Sequence, residues 1–445
     1  MPNKSHYTKD GFVDVMPSKK NLMNLCIILM GVSAAVYFLL ALIWGRAASG
    51  GFFFANGGDF FMDAFNSIRD AAQGKEVYSE RHVIYPPMAN LIFLILSRFT
   101  DSGYNDTDFD ARYSWKEYGS SMLFVLITLA LCFIALFVLV WKATKRGTDN
   151  RRIVFAALMT LSVPILYMME RGNILILCVM ACLVYAITYH SDSRVAREIG
   201  LLALAFAFSL KLYPVVFGWF LIVDKRYKDA IRCAIYGVAM LILPSFFFGG
   251  PIFCLMSLYE NVTGWSSGSG NGIARAMQAL NFSAMTQSVI NALIYVWVLI
   301  CAACFVLSSF FRPEQQWKTW AVGVATILCV PSLTGVYAWA FMLVPLILLV
   351  NRESATPKYI AYVTLMTIPF MYLPLNAIPL EAILQRLLPT VTVQNVSCAK
   401  VWNYVITAVV SIFLVTDTFV DFGRFLSRRK ENKKLDETVT EASEV

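Results

Sequence analysis

The chain has 445 residues, of which 58% are hydrophobic, 14% aromatic and only 15% charged, with a formal net charge of +8 and a mean hydropathy of +0.62. Soluble domains carry about 25% charge. The composition therefore excludes a secreted enzyme, a cytosolic nucleotide-binding fold and a soluble nucleic-acid binder, and leaves a protein that crosses the bilayer many times.

In chain order, residues 1–21 form a polar N-terminal tail holding Lys4, Lys9, Lys19 and Lys20. The apolar runs are then 22–44, 119–141, 153–169, 174–189, 199–223, 234–248, 286–311, 319–350, 359–376 and 401–419. A run of about 20 residues crosses the hydrocarbon core as a helix. The N-terminal tail, segment 142–152 (Lys142, Lys145, Arg146, Arg151, Arg152) and the C-terminal tail (Arg424, Arg428, Arg429, Lys430, Lys433, Lys434) are basic. All three are expected to be cytoplasmic. Residues 45–118 then form a large first outer loop, and the other outer segments are 170–173, 249–285 and 377–400. Stretch 85–99, short and opening with Pro86-Pro87, is expected to lie at the outer interface, because a full crossing would put 142–152 outside.

Two runs carry breaks. Segment 199–223 has basic flanks on both sides and Lys211-Leu-Tyr-Pro214 in its middle. Segment 319–350 has Pro331-Ser-Leu-Thr-Gly335 in its middle. Irregular backbone at depth is tolerated where protein or a wet cavity surrounds it, so each is read as a broken hairpin, giving twelve membrane segments, with two single crossings, giving ten, as the alternative. The expectation is an all-α polytopic membrane protein of about 10–12 membrane helices. One transmembrane domain spans 22–421, and a charged, disordered cytoplasmic tail spans 422–445.

The ten cysteines sit mostly in apolar runs as small hydrophobes. Cys254 and Cys398 fall in outer loops and allow one bridge. Cys301 and Cys304 have CxxC spacing but no second pair, a weak metal signal. No cleavable signal is read at the N-terminus. Asn261, Asn281 and Asn395 begin Asn-x-Ser/Thr triplets in outer loops, which matter only in a glycosylating compartment.

The chemistry-bearing residues concentrate in the first outer loop, which reads Gly57-Gly-Asp-Phe-Phe-Met-Asp63, then Gly74-Lys-Glu-Val-Tyr78, then Tyr85-Pro-Pro-Met88. Asp59 and Asp63 are four residues apart and share one face of a helix. A carboxylate at the mouth of a membrane cavity suits a general base for a hydroxyl; helix capping is the competing account for Asp59. Lys211 is a charge at depth, which costs at least about 2.5 kcal/mol on insertion scales. It reads as a phosphate ligand or as a snorkelling lysine. Arg171 follows Glu170 and reads as a phosphate ligand or as half of an ion pair. Arg81 and His82, just before Tyr85, read as flanking the cavity or as solvated loop.

Together these motifs resemble the polytopic GT-C glycosyltransferases, most of all glycosyltransferase family 87 (DUF2029-like), which includes polyprenol-phosphate-mannose-dependent mannosyltransferases. The resemblance rests on an Asp after the first span, Gly-x-x-x-Tyr78, Tyr85-Pro-Pro-hydrophobic, Arg171-Gly-Asn173 opening a span and Lys211-Leu-Tyr-Pro214. It covers roughly residues 20–350. The sequence departs from the family's Ser-Pro…Trp-x-His element: here the stretch is Val330-Pro-Ser-Leu-Thr-Gly-Val-Tyr-Ala-Trp339. The only histidines are His6, His82 and His190, and Tyr337 stands in as a hydrogen-bond donor.

The resemblance implies a GT-C-like bundle that transfers a sugar from a polyprenyl-phosphate donor at the outer leaflet to a glycolipid or glycan acceptor. In that reading Asp59, with Asp63 next in line, is the base; Lys211, Arg171, Arg81 and His82 bind the donor phosphate; and Tyr78, Tyr85, Asn173, Tyr213 and Tyr337 line the cavity. One base and one direct displacement imply inversion. No cofactor or metal is required beyond the lipid-linked donor. The partners are donor, acceptor and membrane lipids, with no nucleic acid, and the location is the plasma membrane. The rival readings are a transporter or flippase of lipid-linked sugars and a membrane polysaccharide polymerase or ligase.

Overall fold

A computed structural model describes residues 21–45, 60–101, 119–267, 277, 283–311, 315–330, 336–373, 380–387 and 398–443. Asp59 and the elbow 331–335 lie outside the described residues. In chain order the helices are α1 Leu22–Trp44, α2 Met62–Ala72, α3 Glu76–Ser79, α4 Pro87–Leu96, α5 Gly119–Ala143, α6 Asp149–Thr160, α7 Val163–Arg171, α8 Leu175–Thr188 and α9 Arg194–Leu210. They continue with α10 Trp219–Val223, α11 Tyr227–Ser245, α12 Pro251–Ser267, α13 Ala284–Phe311, α14 Gln316–Cys329, α15 Leu343–Arg352, α16 Pro357–Thr367, α17 Leu380–Leu387 and α18 Cys398–Ser443. Among the described residues there is no strand. The protein is an all-α polytopic membrane protein.

Five helices are each long and apolar enough to cross a bilayer among the described residues: α1, α5, α11 with its trailing turn, α13 and α18. Helices α6 and α7 together are also long and apolar enough for one broken span or a re-entrant loop, with a bend of 52° between them. The bend falls where Pro164 opens α7, a residue that has no N–H to continue the ladder. The long spans present apolar side chains outward, including Phe38, Leu39 and Leu42 on α1, Leu123 and Leu131 on α5, and Leu293 and Leu299 on α13. A helix apolar on all sides belongs in lipid or in a core, and here the exposed side chains face hydrocarbon. Helix α4 has ten residues and is about 15 Å long. It cannot cross a core of about 30 Å, in keeping with an interfacial role.

Both interrupted runs fold back on themselves. In the first, α9 ends at Leu210, Lys211 is extended (φ −146°, ψ 129°), and a 3-10 turn over Tyr213–Gly218 leads into α10. Tyr189, before α9, donates through its hydroxyl to Asp224 Oδ2, after α10, at 2.7 Å. Arg226 Nη1 donates to Tyr189 O at 2.8 Å. The two ends of the hairpin are thus side by side. In the second, Trp317 Nε1, at the start of α14, donates to Glu353 Oε1, just after α15, at 3.0 Å. The hairpins pack through Phe217 stacked on Trp320, with centroids 3.9 Å apart. Near their tips Tyr213 meets Phe341 edge-on at 5.4 Å.

The hairpin roots share one end of the bundle with the basic loop after α5. Lys145 N donates to Asn351 Oδ1 at 2.8 Å, Asn351 Nδ2 donates to Ala143 O at 2.8 Å, and Arg146 donates to Glu353 O. Met23, in the first turn of α1, packs on Gly147. Lys318, on α14, pairs with Asp417 at 2.5 Å and Asp421 at 2.8 Å on α18. The first described turn of α1, segment 142–152 and the charged part of α18 therefore lie at the same end. Helix α18 runs on to Ser443, through the stretch whose composition predicts disorder; its many Arg, Lys and Glu residues are good helix formers. Cys254 is a free thiol that donates to Ser245 O and Phe248 O, so the bridge allowed by sequence is not formed.

Candidate active site

The opposite end is organised by one junction. The chain enters α2 through Phe61, whose φ of 57° is left-handed. Its N–H donates to Glu170 O in the last turn of α7 at 2.7 Å. This docks the start of α2 on the end of α7. Asp63 in the first turn of one helix then faces Arg171 in the last turn of the other, the arrangement that the two helix dipoles favour.

Each residue of Arg171-Gly172-Asn173 has its own part in the junction. Arg171 donates from Nε (3.2 Å) and Nη2 (2.8 Å) to Asp63 Oδ1. Gly172 takes a left-handed φ of 65°, and a Cβ there would lie 2.7 Å from the Ala64 Cβ of α2. Only glycine meets both conditions cheaply. Asn173 donates from Nδ2 to Asp63 Oδ2 at 2.8 Å, while its Oδ1 accepts the Leu175 N–H at the start of α8 at 3.0 Å. Both oxygens of Asp63 are thereby engaged.

Tyr85 and Lys211 extend the cluster. The Tyr85 hydroxyl accepts from Asn173 Nδ2 at 3.5 Å. The Lys211 ammonium lies over the Tyr85 ring, 4.0 Å from its centroid. Burial first, and the Asp63 charge second, push the Tyr85 phenol well above its ordinary range, so it stays protonated. Asp63 is also the acidic charge that acts on Lys211. Tyr337, on the second hairpin, senses Asp63 and Arg171 and stacks on Tyr167 with centroids 6.1 Å apart and planes at 12°. Tyr213 follows Lys211 by two residues and meets Phe341 of the second hairpin edge-on at 5.4 Å.

Tyr78 supports the cluster from behind. It is 1% exposed; its hydroxyl donates to Tyr85 O at 2.9 Å and accepts from Asn90 Nδ2 at 2.9 Å. Burial pushes its phenol above the usual range. Arg81 and His82 are exposed and bond to neither Asp63 nor Lys211. His82 Nδ1 instead lies 3.3 Å from Asn261 Oδ1. The Asn261 amide donates to Tyr78 O and Val83 O, so this member of the Asn-x-Ser/Thr triplets acts as a latch on the 78–85 loop.

The structure thus gathers Asp63, Arg171, Asn173, Lys211, Tyr85, Tyr213 and Tyr337, places Tyr78 behind them and sets Arg81 and His82 apart. Among the described residues no three His, Cys, Asp or Glu side chains gather. Sequence reasoning missed Asn90 and Tyr167, and marked Asn261 only as the start of an Asn-x-Ser/Thr triplet. Asn90 had a signal, being a polar residue inside an apolar ten-residue helix; Tyr167 had one too, four residues and so one turn before Arg171.

Glycosyltransferase family 87 matches residues 83–332, more than half of the chain. The chain belongs to that family. It is a membrane glycosyltransferase. The matched span includes Tyr85, Arg171, Asn173, Lys211 and Tyr213, and so most of the gathered cluster. No curated protein and no solved structure matches significantly. Chemically, the cluster offers one carboxylate bonded by Arg171 and Asn173 and a second cation, Lys211, on the face of Tyr85, among further tyrosines: a surface suited to an anion and a sugar together.

Proposed function

We propose that this glycosyltransferase takes its sugar from a polyprenyl-phosphate donor and passes it, with inversion, to a glycolipid or glycan acceptor on the extracytoplasmic side of the plasma membrane, with both termini cytoplasmic. The observation that carries this is the gathering of the Asp63–Arg171 pair and of Lys211 on the Tyr85 ring at the end of the bundle opposite the basic loops. A half-buried lysine in the middle of an apolar run needs an anion to justify its cost, and the leaving group of a lipid-phosphate donor is one.

In this mechanism Asp59 accepts the proton of the acceptor hydroxyl. That oxygen bonds to the anomeric carbon as the bond from carbon to phosphate oxygen breaks. The departing phosphate is stabilised by Lys211 and Arg171. Asp63, with both oxygens engaged, holds Arg171 and Asn173 in place and is second in line as the base. Tyr213 and Tyr337 contact the sugar or phosphate.

The test uses purified protein in detergent with a polyprenyl-phosphate-sugar donor, and measures release of polyprenyl phosphate over time. Lys211→Met should fold normally and lose turnover, and Lys211→Arg should recover only part of it, because guanidinium and ammonium differ in shape and hydration. Asp59→Asn should fall by about 10²–10⁴ in rate while donor binding survives. Full activity in both the Met and the Asn variants would overturn the assignment. Substrate movement across vesicles without any transfer would favour the transporter reading.

A further inference from the structure

Lys211 is held in an unusual way for a half-buried cation. Asp63, the acid whose charge acts on Lys211, already accepts from Arg171 and Asn173. Against Lys211 the protein places the face of an aromatic ring, 4.0 Å from ring centroid to Nζ. The difference matters for an anion site. A carboxylate bonded to the ammonium would cancel its charge and repel a phosphate. A ring face attracts the cation through its quadrupole yet carries no net charge, and it leaves N–H donors of the ammonium free to point elsewhere.

The ring is itself fixed from three sides. The carbonyl of its residue accepts from Tyr78 Oη at 2.9 Å and from Asn90 Nδ2 at 3.3 Å. Its hydroxyl reaches Asn173, the residue that also grips Asp63. Its edge packs on Phe93, with centroids 5.8 Å apart. Pro86 and Pro87 come next in the chain, and Pro87 begins α4, so the backbone beyond the ring is stiff. Tyr85 therefore joins the Asp63 junction on one side to the tip of the first hairpin on the other.

We infer that Tyr85 is the positioning residue for Lys211: its ring face seats the ammonium, uncancelled, beside the Asp63–Arg171 junction, so that the charge is presented to the phosphate of the lipid-linked donor. This rests on the donor reading above. It also gives the Gly74-x-x-x-Tyr78 and Tyr85-Pro-Pro motifs one shared purpose, since the Tyr78 hydroxyl anchors the peptide that carries the Tyr85 ring.

The test changes the electrostatics of the ring without changing its shape. Residue 85 is replaced by phenylalanine and by a series of progressively fluorinated phenylalanines, which drain the negative face of the ring. Equilibrium binding of polyprenyl phosphate and thermal unfolding are measured on the full-length protein in detergent. Relative to Tyr85→Phe, the dissociation constant should rise stepwise with fluorination, by about 3- to 30-fold across the series, the span expected for a cation–π contact, while the unfolding temperature stays flat. In a Lys211→Met background the same series should give no trend. A flat series with Lys211 present, or an equal trend without it, overturns the inference while leaving the donor reading intact. Failure of the unaltered protein to bind polyprenyl phosphate overturns both.

Discussion

At the residue scale, the junction between α2 and α7 shows how a short motif can be legible in type but not in role. Sequence reading marks Asp63, Arg171 and Asn173 separately, and assigns Arg171 either to Glu170 or to a phosphate. The structure joins Arg171 to Asp63, more than a hundred residues away in the chain. Nothing local in the sequence encodes that pairing, because it depends on Gly172 letting α2 come within van der Waals distance. Gly172→Ala should therefore act twice. The left-handed backbone costs about 1–2 kcal/mol with a Cβ, and the contact with Ala64 adds an overpacking penalty of about 1–3 kcal/mol. Thermal unfolding should show a destabilised protein, and donor turnover should fall with it as Asp63 and Arg171 are pushed apart. Adding Ala64→Gly should restore the overpacking share and leave the backbone share. If Gly172→Ala unfolds at the unaltered temperature, the close approach of α2 is not what the glycine serves.

At the scale of elements, the apolar periodicity placed the helices well, and the first break was readable from Lys211-Leu-Tyr-Pro214, while Pro331-Ser-Leu-Thr-Gly335 lies outside the described residues. Proline and glycine announce interruptions locally. Which elements a hairpin packs on is decided by side chains far off in sequence, such as Phe217 on Trp320, and that was not readable. The same holds for the ionic lock at the hairpin roots. Lys318 is 1% exposed and Asp421 is 3% exposed; Lys358 joins Asp417 at 2.8 Å, and the Tyr362 hydroxyl donates to Asp417. Sequence reading assigned none of these residues, since charged residues near helix ends usually mean a solvated face. Removing one partner of a buried pair costs about 3–5 kcal/mol, because the other charge is left uncompensated. Lys318→Met should thus lower stability strongly, as read by thermal unfolding in detergent. Adding Asp417→Asn and Asp421→Asn should recover much of the loss. A single Lys318→Met variant with unaltered unfolding would show that Lys358 alone satisfies both carboxylates.

At the scale of the whole molecule, the bundle has two chemically different ends. One gathers the basic loop after α5, the roots of both hairpins, the first described turn of α1 and the charged stretch of α18. The other gathers Asp63, Arg171, Lys211 and the tyrosines. In the proposed orientation, with positive charge marking the cytoplasmic side, the cluster lies on the opposite side, where a lipid-linked donor presents its sugar in the proposed reaction. The hairpins explain how this is reached: each enters and leaves at the basic end, so a run that looks like a crossing delivers its tip to the site without reversing the sidedness of the next helix. Single cysteines test the scheme directly. Thr148, the residue before α6, and Asn432, in the charged part of α18, should react with a membrane-impermeant reagent only after the cytoplasmic side is opened. Cysteines at Asn105 and Ser267 should react from outside in intact cells. Because the structure ties segment 142–152 to the hairpin roots through Asn351 and Glu353, Thr148 cannot change sides alone. Labelling of Thr148 from outside would invert the entire assignment, place the Asp63 cluster in the cytoplasm and remove the basis for a donor held at the outer leaflet.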